Sequence, residues 1–429
     1  MGDVIRVKDA PSRRGQECTI QGWIYRIRSG GGIVFAIVRD GTGILQATVR
    51  KGAVPPQGFQ EAIGATPESS VIIRGVIAED KRALGGYELR ATDFHLVSSS
   101  PPFPVRKGQS ASMLLDNRHL WLRSRELNAI LKIRAAVFGS IHEYFDLEGF
   151  IETQAPSFVS GACEGGATLF KVPYFSTSVY LTQSAQLYLE ALITTLGRVY
   201  TVAPSFRAER SRTRRHLTEF WHAEAEAAWY SEEDMMTTEE QLVKHVCDTV
   251  SAHNEGEFGI LGVAPQHIAI ELPLERVTYE EALEKAGRAG VELRWGDDLD
   301  YRAERAITAQ AEQPFFVTHY PKKAKAFYHR PDPRRPETVL CHDLLAPQGY
   351  GELTTGGERI ARLDVLMQRI EEAKLDPKDY DWYIDLRRYG SVPHAGFGLG
   401  IDRLVKWITR AEHIQQVVPF PRTMRRMRP

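Results

Sequence analysis

A short basic segment separates two stretches in which apolar and polar residues alternate. Residues 199–229 read VYTVAPSFRAERSRTRRHLTEFWHAEAEAAW. Because side chains alternate across a β-strand, the two stretches predict an antiparallel hairpin with a basic connecting loop. Five arginines fall within nine residues of it: Arg207, Arg210, Arg212, Arg214 and Arg215.

The composition of this hairpin favours nucleotide binding. The planar guanidinium of arginine matches phosphate oxygens, and an aromatic ring such as that of Phe220 offers a face on which a base can stack. We therefore interpret the hairpin as a nucleotide clamp beside an RNA-facing loop. The alternative is a solvated charge run, which is less favoured because Phe206, Phe220 and Trp221 flank the arginines.

A second stretch, residues 385–410, is rich in glycine and reads DLRRYGSVPHAGFGLGIDRLVKWITR. Gly390, Gly396, Gly398 and Gly400 allow the backbone to approach a ligand closely. A helix is predicted to follow, with Arg403 in its first turn, and such a helix start can bind an anion. The glycine spacing differs from G-x-G-x-x-G, which argues against a dinucleotide fold. Alternatively, these glycines serve only tight packing.

A third stretch, residues 341–359, places acids around a glycine-containing turn and reads CHDLLAPQGYGELTTGGER. Asp343 and Glu352 are oxygen ligands of the kind that Mg²⁺ takes when it also binds substrate phosphates. Without the other two stretches, the two acids would be interpreted as ordinary surface residues.

Length and composition indicate what kind of protein carries these three stretches. The chain has 429 residues, of which 43% are hydrophobic and 25% charged, with a net charge of −1. These values are typical of a globular protein with at least two domains. A nucleic-acid partner would therefore have to be bound by local basic charge rather than by the overall charge.

The four cysteines, Cys18, Cys163, Cys247 and Cys341, are far apart and form no C-x-x-C pair. We therefore expect buried thiols rather than a zinc site or a disulfide framework. The first residues contain no apolar leader segment, and no apolar run approaches the ~20 residues that span a bilayer. The expected compartment is the cytoplasm.

The first hundred residues predict a small β-barrel followed by a linker. Short β-branched runs are separated by glycine-rich turns at residues 18–28, 33–40, 44–50, 70–78 and 87–98. Five such strands are typical of an oligonucleotide-binding (OB) barrel. The serine- and proline-rich residues 98–104 then break the pattern. We predict an OB domain at 1–100, a linker at 101–115 and a catalytic domain at 116–429.

The second domain mixes helices and strands irregularly. Apolar residues recur at helical spacing over 123–148, before Gly149, and further helices are predicted at 185–197, 232–252, 278–288 and 361–373. Without regular βαβ alternation, this pattern favours an α+β domain on an antiparallel sheet.

Together these segments resemble the class II aminoacyl-tRNA synthetases, in the subgroup that charges aspartate, asparagine and lysine. Within it they are most similar to the archaeal and eukaryotic type of asparaginyl-tRNA synthetase. GWIYRIRSGGGIVFAIVRDGTGILQATV resembles the anticodon-binding OB barrel of the family. Its catalytic signatures are similar to EGGATLFKVPYF, LTQSAQLYLEA, SFRAERSRTRRHLTEFWHAEAE and WYIDLRRYGSVPHAGFGLGIDRLV.

The resemblance implies an asparagine–tRNA ligase that forms an aminoacyl-adenylate from ATP, releases pyrophosphate and transfers the amino acid to tRNA. It implies Mg²⁺ as cofactor and a homodimer with residues 149–156 at its interface. It also implies that Arg207 and Arg403 are the catalytic residues, in a reaction that needs no side-chain nucleophile because cations neutralise the developing charge. Arg207 would bind the α-phosphate and the substrate carboxylate, and Arg403 would lie on the other side of the adenine that stacks on Phe220.

The resemblance further assigns binding roles to individual residues. ATP would be bound by Arg207, Glu209, Arg215, His216, Leu217, Phe220, Glu352, Gly400 and Arg403. The amino acid would be bound by Glu164, Ser184, Gln186, Leu189, Arg207, Thr355, Arg359 and Arg388. Mg²⁺ would be held by Glu352, Asp343 and Thr355. The tRNA anticodon would meet Arg28, Phe35 and Gln46, and the acceptor end Arg210, Arg212 and Arg214. Without the resemblance, Phe35 would be assigned to the core.

The choice of amino acid depends on a few positions. The aspartate enzymes of the family carry a lysine where this chain has Leu189, and a pocket without that cation favours a neutral amide. Residues 351–359, GELTTGGER, instead resemble the aspartate branch, and Glu358 matches neither branch. Asparagine is therefore predicted, with aspartate as the alternative substrate.

Two alternatives to a tRNA ligase belong to other functional classes. A paralogue could adenylate asparagine without charging tRNA, but it would not need Phe35, Gln46 or the basic loop. A non-catalytic RNA-binding protein would not need Arg207, Glu352 or Arg403.

Overall fold

The computed structural model describes residues 3–106, 108–161, 168–209 and 213–429. The chain divides into two compact units, Met1–Leu114 and Leu115–Pro429. None of the helices in the described residues combines the length and the apolar composition that a membrane-spanning segment requires.

The first unit contains a closed barrel. Its elements are β1 (Asp3–Val4), β2 (Glu17–Gly30), β3 (Ile33–Arg39), β4 (Ile44–Arg50), α1 (Pro56–Gly64), β5 (Ser70–Glu79) and β6 (Tyr87–Ser98). Strand β2 pairs with both β3 and β5, and the order β2-β3-β4-β6-β5 returns to β2. The predicted five-stranded OB barrel is confirmed.

Alternation along β3 separates the barrel core from its outer surface. Val34, Ala36 and Val38 are almost fully buried. Phe35 lies between them and projects from the opposite face, partly exposed. The period of two residues places Phe35 outside the core, so the assignment made without the resemblance is wrong.

The remaining described residues form helices and strands in mixed order. The helices are α2 (Ala111–Asp116), α3 (Arg118–Trp121), α4 (Arg125–Leu147), α5 (Gln186–Leu196), α6 (Glu232–His253), α7 (Glu255–Leu261), α8 (Tyr279–Arg288), α9 (Tyr301–Thr308), α10 (Leu363–Glu372), α11 (Asp381–Arg388) and α12 (Ile401–Ile408). The strands are β7 (Ile151–Glu152), β8 (Phe158–Val159), β9 (Lys171–Tyr174), β10 (Thr177–Leu181), β11 (Arg198–Phe206), β12 (Glu219–Ala228), β13 (Glu275–Thr278), β14 (Phe315–Thr318), β15 (Cys341–Ala346), β16 (Gly351–Glu358) and β17 (His394–Gly400).

Eight of these strands form one sheet in the order β13-β14-β15-β16-β17-β12-β11-β7. The six central strands are antiparallel, and only the two edge strands pair in parallel. The predicted hairpin is present, with β11 antiparallel to β12 and Ser205 opposite Phe220. Helices α4 and α6 cover one face with a shared apolar core. The predicted α+β domain on an antiparallel sheet is confirmed.

The middle of the sheet carries polar groups on both faces. On β15 and β16, Asp343 is paired with Thr355, and the next positions, His342 and Gly356, are also paired. His342 is fully buried and its Nε2 lies 2.5 Å from Oε1 of Glu239 on α6. Alternation therefore sends His342 toward α6 and leaves Asp343 and Thr355 on the other face.

Candidate active site

A cavity of about 610 Å³ lies over the face of the eight-stranded sheet opposite α6. This volume is within the usual range for small-molecule sites. Most of the residues predicted to bind ATP or the amino acid border it: Ser184, Gln186, Arg207, Glu209, Arg215, His216, Leu217, Phe220, Glu352, Thr355, Arg359, Gly400 and Arg403.

The first wall of the cavity comes from the β11–β12 hairpin. Arg207 follows the end of β11, and its backbone N–H donates to the carbonyl of Thr218 at 3.1 Å. Its guanidinium carbon lies 5.4 Å from the centre of the Phe220 ring. Phe220 also meets His222 edge-on, with ring centres 4.7 Å apart. The hairpin thus presents a cation and an aromatic face together.

The second wall is formed where β17 enters α12. Gly400 is the residue before the helix, and Arg403 lies in its first turn. Nη1 of Arg403 is 2.7 Å from Oε1 of Glu352 on β16. Helix α12 therefore directs Arg403 into the cavity at the point where an acid of the neighbouring strand meets it.

Arg215 is held by a partner that the sequence did not reveal. It forms a buried two-point ion pair with Glu304 of α9, with Nη2 2.6 Å from Oε1. Oε2 of Glu304 also accepts from the backbone N–H of Glu352 at 2.8 Å. No local sequence motif marks Glu304 as a partner of Arg215, because the two residues meet only in the folded chain. The pair fixes Arg215 beside Glu352.

Positive charge dominates the electrostatics of this end of the cavity. Burial, together with Arg403 and Arg215, lowers the pKa of His216 to about 4. Burial, together with Arg207 and Arg403, lowers the pKa of His222 to about 3. Burial alone would raise the pKa of Glu352, but Arg403, Arg215 and Lys325 lower it to about 2. Both imidazoles are therefore neutral near pH 7 and the carboxylate is ionised, while the arginines favour a phosphate chain.

The oxygen ligands proposed for a metal lie close together. Oγ1 of Thr355 donates to Oδ1 of Asp343 at 2.7 Å and lies 3.5 Å from Oε1 of Glu352. Nζ of Lys325 is 2.8 Å from Oδ2 of Asp343. Among the described residues, no group of three or more His, Cys, Asp or Glu side chains could hold a metal. The carboxylates provide one or two ligands.

The other end of the cavity is lined by Glu224 and Arg359, and the buried Glu226 lies behind Arg359. Nη2 of Arg359 lies 2.6 Å from Oε1 of Glu226, and both side chains are almost fully buried. A Cβ on Gly396 would lie 2.0 Å from Cδ of Glu226, so glycine is required there for packing. Glu224 accepts from Ser184 Oγ and from the backbone N–H of Ala185 at 2.9 Å. The packing alternative is correct for Gly396, whereas Gly398 and Gly400 border the cavity.

Two of the residues predicted to bind the amino acid, Leu189 and Arg388, do not border the cavity. Leu189 does not border the cavity, because it packs in a small core with Ala185, Ile193 and Val199. Arg388 lies on the exposed side of α11 and pairs with Asp385 at 2.7 Å. Glu358 is buried against Arg330 and faces neither solvent nor the cavity. The buried residue at the end of α11 is instead Arg387.

Glu164, Arg210 and Arg212 lie outside the described residues, as does Cys163. Arg214 is described and exposed, and its backbone carbonyl accepts from Ile414 N–H at 3.0 Å.

The predicted anticodon residues share the outer surface of the barrel. Arg28 and Phe35 are paired across β2 and β3, and the guanidinium carbon lies 4.8 Å from the centre of the ring. Nε2 of Gln46 on β4 is 3.4 Å from Oε2 of Glu88, a buried acid that also accepts from Thr48 Oγ1 at 2.6 Å. An aromatic face, a cation and an amide therefore lie on adjacent strands.

Comparison with known proteins agrees with both units. Residues 110–424 match the family of tRNA synthetases class II (D, K and N), and residues 18–97 match the OB-fold nucleic acid binding domain. The chain is 49% identical to the asparagine–tRNA ligase of Thermoplasma acidophilum over 97% of each chain. It superposes on asparaginyl-tRNA synthetase from Pyrococcus horikoshii complexed with asparaginyl-adenylate, with a TM-score of 0.96, 43% identity and full coverage of both chains. The enzyme from Entamoeba histolytica, also in complex with asparaginyl-adenylate, gives a TM-score of 0.91 at 33% identity, again with full coverage.

Proposed function

Since the chain belongs to the class II tRNA synthetases of the aspartate, lysine and asparagine group, we propose that it is an asparagine–tRNA ligase. It activates asparagine with ATP to form asparaginyl-adenylate and pyrophosphate, and then transfers asparagine to the terminal ribose of tRNA. The observation that carries this proposal is the convergence of Arg207, Phe220 and Arg403 on one cavity that is also lined by Arg359, the partner of the buried Glu226.

Residues at the hairpin end bind ATP. Phe220 provides the stacking face for adenine, and Arg403 approaches from α12. Arg207 binds the α-phosphate, where negative charge grows as the substrate carboxylate attacks and pyrophosphate leaves. Glu209, Arg215, His216, Leu217 and Gly400 complete the nucleotide site.

The reaction needs no nucleophilic side chain. The carboxylate oxygen of asparagine attacks the α-phosphorus in line, a P–O bond forms, and the bond to the pyrophosphate oxygen breaks. Arg207 and Arg403 stabilise the charge that develops, which is a large contribution to phosphoryl-type transfer.

The oxygen ligands fit a magnesium ion. Mg²⁺ is commonly bound by one or two carboxylates together with substrate phosphates, and Glu352 and Asp343 are joined through Thr355. We propose that Glu352, Asp343 and Thr355 hold Mg²⁺. Bound there, the ion would neutralise charge on the phosphates of ATP. Lys325 and Arg403, which pair with these acids, already provide cationic partners at the same place.

The Glu226–Arg359 pair distinguishes an amide from a carboxylate. Arg359 can donate to the carbonyl oxygen of the asparagine side chain, and Glu226 can accept from its NH₂ group. An aspartate side chain would bring a second acceptor against Glu226, leaving a buried repulsive contact. Ser184, Gln186 and Thr355 also border the cavity, and we propose that they contact the amino acid. Leu189 does not contact the substrate. It contributes to selectivity because this position of α5 carries no positive charge that could pair with the side chain of aspartate.

We propose separate tRNA contacts for the two units. On the barrel, Phe35 stacks on an anticodon base, Gln46 forms hydrogen bonds with a base edge and Arg28 contacts the backbone, as single-stranded RNA loops are commonly recognised. Arg210, Arg212 and Arg214 contact the acceptor end. Glu164 is proposed to contact the amino acid. A homodimer through residues 149–156 and a cytoplasmic location complete the proposal.

Pyrophosphate exchange followed by tRNA charging tests this function. The purified protein is incubated with ATP and labelled pyrophosphate, with asparagine or with aspartate, and total tRNA is then charged. We expect exchange with asparagine and formation of asparaginyl-tRNA. Exchange without charging would indicate a paralogue that only adenylates, and exchange with aspartate alone would indicate the other branch of the family.

A further inference from the structure

Glu190 is a fully buried carboxylate that no step of the proposed reaction uses. It lies on α5, and its side chain has no exposed area. Oε2 is 2.5 Å from Nη2 of Arg387, 2.7 Å from the hydroxyl of Tyr383 and 3.0 Å from Nε2 of His394. Oε1 accepts from Nε2 of Gln186 at 3.0 Å. Such complete satisfaction of a buried charge indicates a built network rather than an accident of packing.

The first connection from Glu190 to the cavity is Gln186, one turn earlier on the same helix face. A carboxylate only accepts hydrogen bonds, so Glu190 requires the NH₂ group of Gln186 to point toward it. The carbonyl oxygen of Gln186 is thereby left for other donors at the cavity wall.

The second connection runs to Arg359, which contacts Glu226 and borders the cavity. Nε of Arg387 donates to the carbonyl of Ile360 at 2.7 Å. The backbone N–H of Arg359 donates to the carbonyl of His394 at 2.9 Å. Arg387 and His394, which both bond to Glu190, therefore hold the backbone of Arg359 and Ile360.

Glu190 also interacts electrostatically with Arg359 and with its partner Glu226. Burial acts to raise the pKa of Glu190, but Arg387, His394 and Arg359 outweigh it and lower the pKa, so the carboxylate is ionised. In turn, burial and Glu190 raise the pKa of Glu226, against the effect of Arg359. A negative charge is thus fixed behind the end of the cavity that recognises the side chain.

From these contacts we infer that Glu190 is a specificity-determining residue that selects the amide of asparagine over the carboxylate of aspartate. Its charge offsets Arg387, which would otherwise make this end of the cavity cationic and attractive to aspartate. Its bonds also hold Gln186 and Arg359 in place. The inference rests on the proposed function, because it assumes that asparagine occupies this end.

The test is the substitution Glu190→Gln, measured by pyrophosphate exchange with each amino acid at a pH of about 8.5. Because Glu226 has a pKa of about 7 that Glu190 helps to raise, Glu226 is ionised at this pH in both proteins, and its titration does not contribute to the comparison. The ratio of kcat/KM for aspartate to kcat/KM for asparagine is expected to rise about tenfold or more, the scale of one buried unit charge acting over several ångström. An unchanged ratio in a folded variant would overturn the inference. Wild-type exchange with asparagine tests the proposed function separately, since it does not depend on this variant.

A matched control is Glu239→Gln. Glu239 is also fully buried and bonded to a histidine and a threonine, His342 and Thr354, but it lies on the opposite face of the sheet. Both substitutions are expected to lower Tm, and only Glu190→Gln is expected to change the aspartate-to-asparagine ratio. An equal change in both ratios would assign the effect to general loosening and overturn the inference.

Two further variants keep the inference testable if Glu190→Gln does not fold. Glu190→Asp retains the charge and is expected to leave the ratio near the wild-type value even where activity falls. Arg387→Gln leaves the charge of Glu190 unopposed, and the Ki of aspartate relative to the KM of asparagine is expected to rise. A higher ratio in Glu190→Asp, or no change in Arg387→Gln, would contradict a role for the charge.

Discussion

The guanidinium carbon of Arg207 lies 5.4 Å from the centre of the Phe220 ring, and both residues border the cavity that Arg403 enters from α12. Antiparallel pairing of β11 with β12 brings the two residues together, with Ser205 opposite Phe220. A stacking face and a phosphate ligand therefore come from one hairpin, and each can be removed separately.

Removing the stacking face should weaken ATP binding. Phe220→Leu keeps an apolar side chain but removes the ring on which adenine stacks. A lost base-stacking contact is worth roughly 1–3 kcal/mol, so we expect the KM for ATP to rise about tenfold or more while the KM for asparagine changes little. Pyrophosphate exchange measures both. Phe258→Leu, at a buried position on helix α7, is the control for lost packing. A similar rise in that variant would contradict a specific role for Phe220.

Replacing Arg207 should impair chemistry more than binding. Arg207→Lys keeps the positive charge but loses the planar fork that can contact two oxygens at once. We expect kcat for exchange to fall about a hundredfold, in line with the loss of one oxyanion-stabilising donor, with Tm nearly unchanged. Differential scanning fluorimetry checks Tm. A wild-type kcat would show that a point charge is sufficient at this position.

Selectivity should depend on pH through Glu226. Burial and the charge of Glu190 raise the pKa of Glu226 from 4.5 to about 7, although Arg359 opposes them. As the pH falls from 8 to 6, Glu226 takes up a proton, and a neutral carboxyl can donate to the side chain of aspartate. We expect discrimination against aspartate to weaken over this range. The ratio of kcat/KM values measures it and cancels the titration of the α-amino groups of the two substrates, and the ratio in Glu226→Gln should not change with pH.

The raised pKa of Glu226 also makes the free energy of unfolding depend on pH. Since the pKa is raised in the folded state, the protonated form of Glu226 is favoured on folding. Its contribution is complete below 4.5 and is lost as the pH rises through about 7. The stability difference between wild type and Glu226→Gln, measured by urea unfolding, should therefore change with pH between these limits. A constant difference would contradict the raised pKa.

Substitutions on the barrel should affect tRNA charging and not amino-acid activation. Phe35→Ala removes the proposed stacking contact, and the kcat/KM for tRNA should fall about tenfold or more, while pyrophosphate exchange stays at the wild-type rate. Val97→Ala, an exposed apolar residue on β6, is the control. Equal loss of charging in both variants, or loss of exchange in Phe35→Ala, would contradict a separate anticodon contact.

Local patterns were sufficient to predict the framework of the site. Alternation predicted the β11–β12 hairpin, and the glycine-rich stretch followed by apolar residues predicted helix α12 with Arg403 in its first turn, because both patterns depend on neighbours in sequence. The resemblance then identified which of their side chains face a nucleotide. The alternation along β3 could also have predicted that Phe35 points away from the barrel core, although its aromatic side chain, taken alone, favoured a core position.

The rest of the site could not be predicted because it depends on the exact rotation of each helix and on contacts between distant segments. On α5, Ala185, Leu189 and Ile193 form a stripe that packs on Val199, while Gln186 and Glu190 belong to the adjacent stripe. One residue corresponds to about 100° on a helix, which is also why Arg387 is buried and Arg388 is exposed. The partners Glu304 of Arg215 and Lys325 of Asp343 come from distant segments, so no spacing in the sequence could reveal them.

A crystal structure with a non-hydrolysable analogue of asparaginyl-adenylate tests the central claim most directly. We expect the adenine on the face of Phe220, the phosphate mimic beside Arg207, and the side-chain amide within hydrogen-bond distance of both Arg359 and Glu226. An analogue bound with its adenine away from Phe220, or with its amide at neither Arg359 nor Glu226, would contradict the assignment of this cavity.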